Sequence, residues 1–336
     1  MRIVICYPIQ KHHYEQIAAT ASGHEIVDAG QQRIAEELFS ADIYCGHAKV
    51  PVDWDGVVRQ GRLRWIQSSA AGMDHCLVPS VIRSDIVVTS ASGVLADQVA
   101  EHTIAMLTGW CRNLPTFFRA QQKKEFVRQP TRDLHRSTVG IVGLGGVGRR
   151  LAELLSVFKT RILATDLFPV NKPPQVESLW PAECLKEMAS QVDFLVLCAP
   201  LNDQTRGMVN ADILGSMKRF SVLANMARGP LVVESDLVQA LEGGHLGGAV
   251  MDVTNPEPLP PSSRLWEMPN VIITPHVAGQ SARRIDNMTQ LFCENLRRWK
   301  RGDPLINLLT DKSLGFPIRD NRTSLWVDFR RNMEAT

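Results

Sequence analysis

Residues 139–148 read Val139-Gly140-Ile141-Val142-Gly143-Leu144-Gly145-Gly146-Val147-Gly148. A short apolar run passes into glycines spaced G-x-G-x-x-G. Val147, Leu151, Leu154, Leu155 and Phe158 then recur at helical spacing, as on a helix with one buried face. The glycines have separate jobs: Gly143 permits a tight turn, Gly145 lets the backbone approach a pyrophosphate, and Gly148 allows the helix to pack closely on the strand. The helix start, at Gly146 and Val147, offers free N–H groups and a partial positive charge to a phosphate. Downstream, Arg161-Ile-Leu-Ala-Thr-Asp166 is a second strand ending in an acid. A carboxylate there accepts from ribose hydroxyls and repels a 2′-phosphate. The expected cofactor is NAD, with NADP disfavoured by Asp166.

Outward from this unit, strand-like runs recur at 162–164, 194–198, 222–224, 249–251 and 272–274, with helical stretches between them. Strand and helix alternating in this way define an α/β chain with a Rossmann-type, doubly wound parallel sheet. An earlier series has short apolar runs at 3–7, 25–28, 43–45, 63–67 and 86–89 and the same rhythm. Residues 95–122 read as one long helix, apolar nearly all round and therefore buried, and residues 282–300 as another. The stretch 256–261 is proline-rich and reads as a rigid turn. The tail from about residue 317 is charged and without periodicity.

The bulk properties narrow the function. With 336 residues, two domains are expected. The chain is 44% hydrophobic and 21% charged, enough to bury substantial cores. A net charge of +2 gives no basic field for nucleic acid; the run Arg297-Arg298-Trp-Lys-Arg301 reads as a helix end, where cations suit the dipole. The seven cysteines are scattered without a C-x-x-C, which fits reduced thiols rather than a disulfide frame or zinc site. No apolar run approaches the ~20 residues of a membrane helix. The N-terminal run 2–8 lacks a cleavage site, so it reads as a strand and the location as cytoplasmic. His12-His13 have no further ligands at regular spacing, so both read as exposed rather than metal-binding.

Three further segments sit at or just beyond strand ends: Ala224-Asn-Met-Ala-Arg228-Gly-Pro230, Met251-Asp252-Val-Thr-Asn-Pro-Glu257-Pro-Leu-Pro260 and Ile273-Thr-Pro-His276-Val-Ala-Gly279. Open α/β sheets place ligands at such ends. A 2-oxo acid needs a planar, paired donor for its carboxylate, which arginine supplies. Its carbonyl oxygen needs a proton donor when hydride arrives, and histidine titrates in the right range. A carboxylate beside the imidazole orients it and favours its charged form. Arg228, His276 and Glu257 are the candidates.

With these motifs assembled, the sequence resembles the D-isomer-specific 2-hydroxyacid dehydrogenase family, near its glyoxylate/hydroxypyruvate reductase-like branch. The matching stretches are the glycine loop, Asp166, Cys198-Ala-Pro-Leu201 with Thr205, Asn225–Gly229, Asp252 with Glu257-Pro-Leu-Pro, and Pro275-His276-x-Ala-Gly279. Ser69-Ala-Ala-Gly72-Met-Asp74 and Ala100-Glu-His-Thr-Ile-Ala105 resemble its substrate loop and its long helix. The resemblance implies a discontinuous, smaller, flavodoxin-like substrate domain from residues 1–98 and 284–336, and an NAD domain at 99–283. It implies that Arg228 holds the substrate carboxylate and carbonyl, aided by backbone N–H groups near Ala71 and Gly72. His276 is then the acid/base, Glu257 its partner, and Asp252 the contact of the nicotinamide carboxamide. Cofactor contacts are implied at Gly143, Gly145, Gly146, Val147, Gly148, Asp166, Ala199, Pro200, Thr205, Met226, Ala227, Arg228, Asp252, His276 and Gly279. A homodimer through the cofactor domain is implied, with a small 2-oxo or 2-hydroxy acid as substrate. The sequence departs from the family at Thr254, where an aromatic is common, and Glu257 sets it apart from the formate-oxidising branch, which has an amide there. A second class remains open: family-like corepressors use the same fold as NAD-sensing binding proteins.

Overall fold

The computed structural model describes residues 1–318 and Phe329. It divides into two compact units, Met1–Leu95 with Ser281–Thr336, and Ala96–Gln280. Of the charged tail, residues 319–328 and 330–336 lie outside the described residues.

The first unit holds β1 (Arg2–Cys6), β2 (Glu25–Asp28), β3 (Ile43–Gly46), β4 (Trp65–Ser68) and β5 (Val87–Thr89). All run parallel in the order β2-β1-β3-β4-β5, the flavodoxin-like winding. Both faces of such a sheet are covered, so its strands read as continuous apolar runs rather than alternating ones. One face, with Ile3, Ile5, Ile43 and Trp65, packs on Phe292 and Leu296 of the helix Arg284–Arg301. Trp65 stacks on Trp299 with ring centroids 5.3 Å apart, and its Nε1 donates to Thr89 Oγ1 at 2.9 Å. The opposite face carries Val4, Tyr44 and Ile66 against Ile34, Leu38, Trp54 and Val57. Phe329 packs on a satellite cluster with Ala91, Val94, Met288 and Leu291.

The second unit holds β6 (Thr138–Val142), β7 (Arg161–Asp166), β8 (Ser178–Pro181), β9 (Phe194–Leu197), β10 (Val222–Asn225), β11 (Gly248–Met251) and β12 (Val271–Ile273). Its parallel sheet has the order β12-β11-β10-β9-β6-β7-β8. The chain winds outward from β6 to β8, returns to β9 on the other side of β6, and winds outward again. Between β6 and β9 the winding reverses, and beyond the C-terminal strand ends at that point a crevice forms. β8 was not anticipated: Ser-Leu-Trp-Pro is a partly exposed edge strand with a proline, and has no continuous apolar run.

Two other expectations are corrected. The helix expected over 95–122 is two helices, Ala96–Cys111 and Leu114–Gln122. Asn113 between them is left-handed, with φ 56°. A continuous helix would set Pro115 against the carbonyl four residues back and delete a hydrogen bond. The first helix buries Ala100, Thr103, Met106 and Leu107, while Glu101 and Ala105 are exposed. His13, read as exposed, is buried at 3% exposure. Its Nδ1 accepts from Gln10 N at 3.0 Å and its Nε2 reaches Asp286 Oδ1 at 2.7 Å; neither partner could be inferred from ligand spacing.

Candidate active site

At the end of β6 the glycine loop has the geometry its composition demands. Gly143 has φ 92°, and a Cβ there would sit 2.9 Å from the backbone of Ala199. A Cβ on Gly148 would lie 2.2 Å from Gly143 O, so the helix Gly146–Ser156 can approach the strand only without a side chain. At Gly145 a Cβ would meet nothing within 4 Å, so the space above this turn is open. No side chain caps the first turn of the helix, which leaves its N–H groups for an anion. Residues and space therefore fit a dinucleotide.

Asp166 ends the neighbouring strand. Its Oδ2 accepts from Leu144 N at 2.6 Å and its Oδ1 from Phe168 N at 2.9 Å. A carboxylate has about four acceptor directions, so capacity remains. Arg149, one residue past Gly148, donates to Asn171 O at 2.7 Å and Val170 O at 3.3 Å. Burial lowers the Arg149 pKa, with the Asp166 charge opposing. Beyond β9, Thr205 Oγ1 donates to Pro200 O at 2.7 Å and closes the turn after Ala199.

The ionisable candidates leave three adjacent strands. Asn225 pairs in register with Met251, and Met251 with Ile273, so the segments leading to Arg228, Glu257 and His276 emerge side by side. His276 Nδ1 lies 2.8 Å from Glu257 Oε2. An ionised carboxylate only accepts, so Nδ1 carries a proton and Nε2 is the ring nitrogen left for chemistry. Glu257 is braced in turn, with Oε1 accepting from Thr254 N at 3.2 Å. The Arg228 turn is built against this loop: a Cβ on Gly229 would come 1.9 Å from Thr254 O. Arg228 Nη1 donates to Ala227 O at 2.7 Å. Met226 and Ala227 are buried at 7% and 9% exposure.

His276 is left-handed, with φ 54°, a conformation costing about 1–3 kcal/mol for a residue other than glycine. Asp252, only 2% exposed, holds it. Asp252 O accepts from His276 N at 2.7 Å, Oδ1 from Val277 N at 2.9 Å and Oδ2 from Ala278 N at 3.0 Å. Gly279 follows directly.

Sequence reasoning missed several supports. Buried Asn225 donates from Nδ2 to Arg228 O at 2.9 Å and accepts from Ala227 N at 3.1 Å, closing the Arg228 turn. Thr274 and His102 contact Asp252 or its partner. Asn225 carried a signal, an amide at a strand end before a turn. His102 carried none.

In the first unit, Ala71 and Gly72 follow β4. Ser68 shapes the start of their loop, with Oγ accepting from Ala70 N at 3.0 Å. Also in that unit, His12, His13 and Asp286 bring possible metal-ligand atoms within 4.8 Å of one another. A histidine ligates through an unprotonated nitrogen. Because His13 Nδ1 accepts the Gln10 N–H, its ring proton lies on Nε2, facing Asp286. That nitrogen has no lone pair to offer an ion, so the trio acts as a clamp between two helices. Hydrogen bonds from His13 and then His12 hold the Asp286 carboxyl below the usual range.

A glycine turn at a switch point and a histidine–carboxylate pair on the same sheet edge define a nicotinamide-dependent dehydrogenase fold. Residues 104–278 match the family model described as D-isomer specific 2-hydroxyacid dehydrogenase, NAD binding domain, and the chain belongs to that family. It is 33% identical to the human glyoxylate reductase/hydroxypyruvate reductase over 251 residues, 72% of this chain and 76% of that protein. A D-isomer specific 2-hydroxyacid dehydrogenase from Xanthobacter autotrophicus Py2, solved with NADPH and MES, superposes with TM-score 0.79 at 27% identity, covering 93% of this chain and 99% of that one. The NADPH-dependent glyoxylate/hydroxypyruvate reductase of Sinorhizobium meliloti, solved with NADP and sulfate, gives TM-score 0.78 at 26% identity, covering 93% and 99%. Among the described residues, no helix is long and apolar enough to cross a membrane.

Proposed function

We propose that the protein reduces a small 2-oxo acid to the D-2-hydroxy acid with NADH, and catalyses the reverse oxidation. The observation carrying this reading is the 2.8 Å contact of His276 Nδ1 with Glu257 Oε2, which leaves Nε2 to exchange a proton. A nicotinamide held at these strand ends would supply the hydride for the carbonyl carbon. As the C=O electron pair moves to oxygen, His276 Nε2 delivers the proton that makes it a hydroxyl, and Glu257 stabilises the charged imidazole before that transfer. Arg228 holds the substrate carboxylate. Asp252 would accept from the carboxamide. Residues 143–148 would cradle the pyrophosphate, and Ala199, Pro200, Thr205, Met226, Ala227 and Gly279 would complete the cofactor's surroundings.

NAD is favoured over NADP by charge. Asp166 stands at the ribose position, residues 167–171 contain no arginine, and Arg149 is committed to two backbone carbonyls. A 2′-phosphate would meet the Asp166 carboxylate. NADP(H) in the two solved relatives makes this a direct test. The relatives' names support a glyoxylate or hydroxypyruvate substrate. The second unit is read as the cofactor domain and the first as the substrate domain, in a homodimer through the cofactor domain.

Steady-state rates with glyoxylate, hydroxypyruvate, pyruvate and the 3-phosphoglycerate couple, each with NADH and NADPH, test the reading. Turnover with one of the small acids is expected, with NADH preferred at least ~10-fold, a gap of about 1.4 kcal/mol. Tight NADH binding without turnover of any acid would identify an NAD-sensing binding protein instead.

A further inference from the structure

His102, Thr274 and Asp252 form a chain of hydrogen bonds whose direction is set by chemistry. The ionised Asp252 carboxylate can only accept. Thr274 Oγ1 lies 2.6 Å from Asp252 Oδ1, so the hydroxyl proton points there; Met106 Sδ, 3.5 Å from the same hydroxyl, is a much weaker acceptor. With its one proton committed, Thr274 Oγ1 accepts from His102 Nε2, 3.0 Å away. His102 Nε2 therefore carries a proton whether the ring is neutral or charged. It also stands 3.5 Å from Asp252 Oδ1.

The two carboxylate oxygens consequently differ. Oδ1 receives the Thr274 hydroxyl and Val277 N–H, with the His102 ring close by. Among the described residues Oδ2 receives one donor, Ala278 N. Each oxygen offers about two acceptor directions, so Oδ1 is filled and Oδ2 keeps one open. The chain from His102 opposes any rotation that would exchange them.

We propose that His102 is a positioning residue for the nicotinamide end of the cofactor. Through Thr274 it holds Asp252 so that Oδ2 stays available to a carboxamide N–H. This rests on the nicotinamide reading above. His102 acts on the cofactor through Asp252, and on the pyrophosphate and adenosine not at all. Its effect is therefore confined to ligands that contain nicotinamide.

Equilibrium binding of NADH and of ADP-ribose, which lacks the nicotinamide, separates this role from a general structural one. In the full-length protein, His102→Leu and Thr274→Val are expected to weaken NADH about tenfold, the scale of one hydrogen bond, and ADP-ribose less than about twofold. Glutamine places an N–H where His102 Nε2 stands, so His102→Gln, like Thr274→Ser, should restore NADH affinity. Equal weakening of both ligands, or wild-type NADH affinity in both H102L and T274V, overturns the proposal. Should H102L not fold, T274V and T274S decide alone. Failure of the wild type to bind NADH would instead remove the nicotinamide reading, and this inference with it, before any variant is compared.

Discussion

Two turns on one sheet edge enter left-handed backbone by different means. After β6 the residue is Gly143, with φ 92°; after β12 it is His276, with φ 54°. The first turn uses a residue with no Cβ to clash. The second places a bulky side chain in a disfavoured conformation and restrains it with Asp252, which accepts from three consecutive N–H groups at 2.7–3.0 Å. Shape is thus specified by residue type in one turn and by a distant partner in the other. In the function proposed above, the first turn would only have to bring bare backbone to a cofactor, so glycine suffices. The second would have to aim an imidazole, so its backbone has to be constrained from outside.

That contrast yields a graded set of measurements. The largest effect belongs to the side chain being aimed: His276→Ala is expected to lower turnover ~10²–10⁴-fold, the range for a lost general acid–base group, while the melting temperature stays near wild type. Wild-type turnover would take the histidine out of the chemistry. Next, Asp252→Ala keeps the main-chain bond to His276 N but leaves the N–H groups of Val277 and Ala278 without their acceptor, a loss of about 3 kcal/mol by denaturant unfolding. An unchanged midpoint would show that the turn holds itself and would collapse the distinction. Gly148→Ala drives a Cβ to 2.2 Å from Gly143 O. It should destabilise by about 2 kcal/mol, as overpacking does, and abolish measurable NADH binding while leaving the histidine turn unaffected. The smallest stability change is expected at Gly145, whose φ of −73° suits alanine and whose Cβ direction is open. Gly145→Ala should alter stability by less than about 0.5 kcal/mol yet weaken NADH, because the methyl fills space that the pyrophosphate would use. Unaltered affinity would move the pyrophosphate off this turn.

The same contrast explains what could be read before any coordinates. Buried parallel strands announce themselves as apolar runs, so β6, β9 and β10 were legible, whereas the exposed, proline-ended β8 was not. The glycine loop was legible because steric demand and residue type coincide. Arg228, Glu257 and His276 could be picked out as ionisable groups at strand ends, and the fold brings their segments to adjacent positions. Their supports were hidden for a physical reason. His102 and Thr274 are 172 residues apart in sequence, and neither has a local pattern that points to the other. His13 reads as exposed on similar grounds, since its partner Asp286 lies 273 residues away. The helix break before Pro115 was visible in principle, and apolar continuity masked it.

The way the chain is apportioned between its units also shapes how it is made. Met1–Leu95 is synthesised before Ala96–Gln280, yet one face of its sheet, where Ile17 packs, is completed only when the helix Arg284–Arg301 arrives with Phe292 and Leu296. At ~5–20 residues per second, translation of the intervening unit imposes a wait of roughly ten to forty seconds. Throughout it Ile3, Ile5 and Trp65 have Ile17 beside them but lack Phe292 and Leu296, while Ala96–Gln280 can complete its own core. The unit begun before Ala96–Gln280 is completed after it, and nascent chains stalled before residue 284 should present part of that apolar face to chaperones.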